Sequence, residues 1–158
     1  MNSNIIKTLT AAAALVLTLT GCASMGGVAG VDVLATGNHS SMKNQQYVDV
    51  HNQADFAALW AKTFKGFSAP SMPQVNFSKD MVLGAFIGEQ KHSGYLIRIK
   101  KIDATGATTN VTVEVTIPGT NCQHILRGRT QPYLFVTAPA ESKPVNFNVT
   151  QRNAPPCG

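Results

Sequence analysis

Between Thr109 and Ile117 the chain alternates without a break: Val111, Val113, Val115 and Ile117 hold the odd positions, and Asn110, Thr112, Glu114 and Thr116 the even ones. A period of two places the two sets on opposite faces of a strand, whereas a helix would scatter each set around its axis. Tyr95 to Ile102 supplies a matching strand, and the region of Gly106 lies midway between the two. A hairpin symmetric about Gly106 pairs Tyr95 with Ile117, Ile97 with Val115 and Ile99 with Val113, and sets Arg98 opposite Glu114 on the other face. Both apolar sets then share one side, and a slip of one residue would set Ile97 against a polar position. Such a sheet has one apolar face that the rest of the chain must cover.

The remaining elements follow from the same reading. Met81 to Gly88 is a continuous apolar run, the pattern of a central strand buried on both faces. Tyr133 to Thr137 is another strand, and Val145, Phe147 and Val149 alternate with Asn146, Asn148 and Thr150 in a last one. Tyr47 to Val50 is short. One helix is signalled: Asn52 caps it, Asp55 suits its positive first turn, and Phe56, Leu59, Trp60 and Phe64 recur at helical spacing. Lys62 and Lys65 lie near its end and Gly66 stops it. The stripe is expected to pack on a sheet as core. Pro70 and Pro73 exclude regular structure between Ser68 and Gln74. The expected fold is α+β, a curled antiparallel β-sheet with one amphipathic helix packed on it.

The N-terminus carries a different signal. Lys7 is the one charge before Asp32, and an apolar run from Leu9 to Leu19 ends in Leu19-Thr20-Gly21-Cys22. The run is about half the roughly 20 residues a membrane span needs, which suits the apolar core of a signal peptide. Its end resembles the lipobox of bacterial lipoproteins. The resemblance implies cleavage after Gly21 and lipidation at Cys22, with two or more acyl chains holding the protein on a membrane. Ala23 stands where enteric lipoproteins retained in the inner membrane carry Asp, which favours an outer membrane where there is one. The expected divisions are a signal peptide over 1–21, a lipidated, Gly-rich tether over 22–44 containing a short strand at Val31–Ala35, and one domain over 45–158.

The net charge is +5, and without Lys7 twelve basic side chains face eight acidic ones. They are scattered, with Lys100-Lys101 the densest pair, whereas a nucleic-acid reader clusters its basic residues on one face, and export also argues against that role. Of the three cysteines, lipidation takes Cys22. Cys122 and Cys157 are left in an oxidising compartment, where a disulfide between them is expected. The alternative use is a metal or redox site, since Cys122-Gln123-His124 sets a thiol beside an imidazole and His92 could join them.

Several stretches carry a family resemblance. Asn76-Phe77-Ser78-Lys79-Asp80-Met81-Val82 leads into a Gly-containing strand, Gly94-Tyr95 opens an Ile-rich one, and Thr130-Gln131-Pro132-Tyr133 precedes Leu134-Phe135-Val136. With the Phe56, Leu59, Trp60 helix upstream, this order resembles the C-terminal domain family of the PrcB protease-complex subunit over roughly residues 45 to 140. Ser93 departs from it, standing where a second Gly is frequent. The resemblance implies a lipoprotein that stabilises an exported protease complex without being a protease. A fainter similarity links Ser93-Gly94-Tyr95 and Gln131-Pro132-Tyr133 to the loops of chagasin-like cysteine-protease inhibitors, without their Asn-Pro-Thr-Thr or an Arg before Pro132.

Nucleophile and metalloprotease motifs are absent, and the few carboxylates form no close pair for acid–base work. No catalytic residue, cofactor or metal is therefore assigned. The candidate partner-binding residues lie in two loops: Gly88, His92, Gly94 and Tyr95 in one, Gln131, Pro132 and Tyr133 in the other. Glycines permit a close approach by a partner backbone, and an exposed Tyr favours an interface. The expectation is a lipid-anchored, non-enzymatic envelope protein that binds or stabilises an exported partner, with a protease as one partner class. Protease inhibition through the two loops and small-ligand binding are the alternatives.

Overall fold

The structure, a computed structural model, describes residues 28–157; the expected signal peptide and the expected lipidation site at Cys22 lie outside the described residues. At its centre are β3 (Asp80–Ile87) and β8 (Tyr133–Pro139), paired antiparallel with Leu83 opposite Val136 and Ala85 opposite Leu134. Both strands are apolar at successive positions, so both faces of this pair need a cover. β1 (Asp32–Gly37) and β2 (Gln45–Val50) flank it, giving a four-stranded sheet in the order β1-β8-β3-β2. An Asx turn at Asn76, whose Oδ1 accepts from the Ser78 amide at 3.1 Å, turns the chain into β3.

The helix α1 (Gln53–Thr63) covers one face. The Asn52 side chain caps it, accepting from the Asp55 amide at 2.9 Å. Phe56, Trp60 and Phe64 are buried against Val82, Phe86, Tyr133 and Phe135. Gly84 makes this possible: a Cβ there would stand 3.2 Å from the Phe86 ring and 3.4 Å from that of Phe135. The opposite face, with Met81, Leu83, Ala85, Leu134 and Val136, packs on Ile97, Val111, Val113 and Val115 of a second sheet.

That second sheet contains β5 (Leu96–Asp103), β6 (Thr109–Ile117) and β9 (Val145–Asn153) in the order β5-β6-β9. The hairpin has the register expected for its first half: Ile97 faces Val115, Arg98 faces Glu114 and Ile99 faces Val113. Tyr95 precedes the ladder and does not pair with Ile117. At Lys100 a bulge shifts the register, so that Ile102 pairs with Val111. Ile99 and Ile102 are three residues apart, and an extra residue is what returns both to one face.

Three expectations are corrected. The strands form several sheets instead of one curled sheet, because the doubly apolar β3–β8 pair demands a separate layer on each side. A small third sheet joins β4 (Gln90–His92) to β7 (Arg127–Thr130). The strands are not all antiparallel: β9 runs parallel to β6, with Val111 beside Phe147. The folded unit also begins at β1, ahead of the expected boundary at 45. β1 pairs with β8, and Ser40 and Met42 in the following segment are buried.

Cys122 and Cys157 form the expected disulfide, with Cα atoms 4.9 Å apart and 35 residues between them in sequence. It ties the loop after β6 to the segment after β9. Alongside it the Cys157 amide donates to the Thr120 carbonyl at 3.0 Å.

Candidate partner-binding groove

The two loops singled out from sequence do converge, but three of the seven candidate residues, Gly88, Pro132 and Tyr133, are buried. Gly88 is buried with φ +74°, and a Cβ there would lie 2.9 Å from the Lys43 carbonyl oxygen and 3.0 Å from the Gln45 nitrogen. The backbone that approaches this glycine is the protein's own. Pro132 is buried, and its carbonyl accepts from the Ile87 amide. Tyr133 is only 7% exposed, with its ring 5.3 Å from that of Phe64. Gly37 leaves space for that ring, since a Cβ at residue 37 would stand 2.9 Å from it. Burial pushes the Tyr133 phenol above the ordinary tyrosine value. Gly88 therefore offers no open backbone to a partner, and the Pro132 and Tyr133 side chains are packed largely within the protein.

The other candidates remain partly accessible. The His92 ring stacks on Tyr95 with centroids 5.2 Å apart, and Tyr95 packs on the aliphatic core between the sheets. Gly94 has φ +93°, and a Cβ on it would meet Pro118 at 3.0 Å. Gln131 bridges to Asn38 through its amide at 2.8 Å, and its side chain donates to Glu89 at 3.2 Å. Arg129 reaches the same carboxylate at 2.6 Å, so this rim is held by exposed ion pairing, a contribution of about 0–1 kcal/mol.

What the loops build together is a groove of about 420 Å³ between β1 and β5. Thr36 and Gly37 stand on one wall, Tyr95 to Arg98 on the other, and Pro132 to Leu134 at the base. Val33 and Leu96, 63% and 49% exposed, line it. Neither was among the candidates. The signal for Leu96 was present: between inward-facing Tyr95 and Ile97 it is an apolar residue on the polar face of its strand.

The Cys122, His124 and Cys157 side chains also meet, with potential ligand atoms within 4.8 Å of one another. Here the two sulfurs are bonded to each other and offer no thiolate pair. His92 and Cys122 share an open cavity of about 510 Å³ with Arg127, and no carboxylate lines it. A nucleophile, base and orienting acid are not assembled there.

The family model described as PrcB C-terminal matches residues 81–139, which run from Met81 in β3 to Pro139 at the end of β8. The PrcB C-terminal match starts downstream of the resemblance read from sequence, leaving out β2 and α1. It takes in β5, the Gly94-Tyr95 turn and the Pro132–Leu134 base, and so one wall and the base of the groove. No curated protein and no solved structure matches the chain.

Proposed function

We propose that this protein is a membrane-anchored, non-enzymatic lipoprotein whose folded head binds an exported partner protein through the β1–β5 groove. The observation that carries this reading is the convergence of Tyr95 and Pro132–Leu134 on an open apolar groove flanked by exposed Val33 and Leu96. Apolar side chains left in water at a concave site favour association. The PrcB C-terminal match makes a protease complex the first partner class to examine. The Cys22 lipobox supports the anchor, and in sequence the segment after Cys22 leads directly into β1, a wall of the groove. Inhibition of a protease through both loops is less well supported, because buried Pro132 and Tyr133 cannot enter another enzyme's cleft.

The test is capture from solubilised envelopes with the tagged full chain, beside Leu96→Asp and Cys22→Ser. The wild type should enrich one exported protein that Leu96→Asp loses, and Cys22→Ser should leave the membrane fraction. Equal enrichment by Leu96→Asp, or no enrichment by either, would defeat the reading.

A further inference from the structure

The groove has a second property beyond its apolar lining: both walls are sheet edges. β1 ends the order β1-β8-β3-β2, and β5 ends the order β5-β6-β9, so each strand has one edge unpaired. Edges of this kind are normally blunted by charges or bulges. In β5 the bulge at Lys100 and the adjacent Lys101 blunt the second half. Its first half, Leu96 to Ile99, keeps an unbroken register with Thr116 to Val113, has no bulge and carries a single charge, Arg98. That half is the part that lines the groove. β1 is a poorer template: it bulges at Leu34, and the Thr36 hydroxyl is tied to the Tyr133 carbonyl at 3.0 Å.

Charge narrows the occupant further. Arg98 faces Glu114 across the hairpin, yet among the described residues it makes no ion pair. Glu114 is held instead by Lys100 at 3.8 Å and Arg152 at 3.7 Å. The Arg98 guanidinium is therefore a free cation at the rim, two residues from exposed Leu96 and on the same face of β5.

We infer that an extended segment of the partner adds to β5 as a fourth strand of the β5-β6-β9 sheet. It runs antiparallel to Leu96–Ile99 and sets an aliphatic side chain beside Leu96 and a carboxylate beside Arg98. In an antiparallel pair the carboxylate comes two residues before the aliphatic residue in the partner's sequence. Main-chain hydrogen bonds to the open edge hold the segment, and the two side chains select it. This inference rests on the reading that the groove is the binding surface.

The probe is a labelled nine-residue threonine–valine peptide with one glutamate two residues before a central leucine, titrated against the full chain in detergent. Four results are expected. The peptide binds and protects the Leu96–Ile99 amides from hydrogen exchange. Arg98→Glu weakens it about fivefold. A peptide with lysine for glutamate recovers that loss. Methylating the peptide's backbone nitrogens, with side chains unchanged, weakens binding tenfold or more, on the order expected for losing several hydrogen bonds.

Equal binding of the methylated peptide, protection of β1 instead of β5, no rescue by charge exchange, or no binding at all would overturn strand addition at β5. So would protection of Leu96–Ile99 that grows with protein concentration without peptide, which would make a second copy the occupant. If the peptide fails while Leu96→Asp still abolishes partner capture, this inference falls and the proposed function stands. If capture ignores Leu96→Asp, the proposed function falls first.

Discussion

The helix-covered side of the central sheet and its β1–β5 margin are built from similar side chains and end up opposite in character. Under α1, Phe135 is surrounded by rings: Trp60 at 5.3 Å, Phe86 at 5.4 Å, Phe56 at 6.0 Å and Tyr133 at 6.0 Å between centroids. At the margin, Val33, Leu96 and Tyr95 face a gap. The difference lies in whether a third element is available. A helix can lie across the strands and seal a face in one step. Two sheets stacked face to face seal only where they overlap, and β1 and β5 stand at unmated edges of two different sheets. Apolar surface at such a margin stays open unless another chain covers it.

This contrast can be broken first on the closed side. Phe135→Ala removes a fully buried ring that four others touch. Denaturant unfolding should show a loss of about 3–5 kcal/mol, the range for truncating a buried aromatic. A loss below about 1 kcal/mol would mean that the aromatic layer is not the sealed core described.

A second measurement uses pH. Burial raises the Tyr133 phenol, so the folded state holds that proton more tightly than the unfolded chain. The stabilisation is complete below the ordinary tyrosine value and is lost as pH rises through the raised one. Stability should therefore decline from about pH 10 upward. Tyr133→Phe, which keeps the ring, should flatten that decline. Some slope should remain from Tyr47, also raised by burial against the lowering effect of its hydrogen bond with Gln45. An unchanged slope in Tyr133→Phe would place Tyr133 in contact with water and blur the boundary between the two regions.

The smallest effect belongs to the open margin. Leu96→Ser should change unfolding stability by no more than about 0.5 kcal/mol, as for exposed positions generally. The same variant should lose partner binding. A stability loss comparable to that of Phe135→Ala would show that Leu96 belongs to the core and that the groove is closed in solution.

Much of the fold was legible. The alternation in Val111–Ile117 led to the register of Ile97, Arg98 and Ile99, the apolar run at Met81 to its doubly buried strand, and Asn52 to its cap. Even the bulge at Lys100 had a trace, since Ile99 and Ile102 cannot share a face at a period of two. The site was less legible. Gly88 was read as a place where a partner backbone could approach, and a backbone does approach, but it is that of Lys43 to Gln45. A glycine announces a close approach without saying whose. Tyr133 was read as an edge aromatic; it is buried because Gly37, nearly a hundred residues away, leaves a space for its ring.

By itself the sequence determined what is local: which segments are strands, which face of each is apolar, where the helix starts, and, with Cys22 set aside for the expected lipid, which two cysteines are left to pair. These depend on periodicity, turn chemistry and counting, all properties of neighbours along the chain. Only the tertiary structure decided which strands became edges, that β9 would join β6 in parallel, that Glu114 would be held by Lys100 and Arg152 and leave Arg98 free, and that β1 and β5 would face each other across a gap. Those outcomes depend on how three sheets fit around one doubly apolar strand pair, and packing between distant segments leaves no period in the sequence to read.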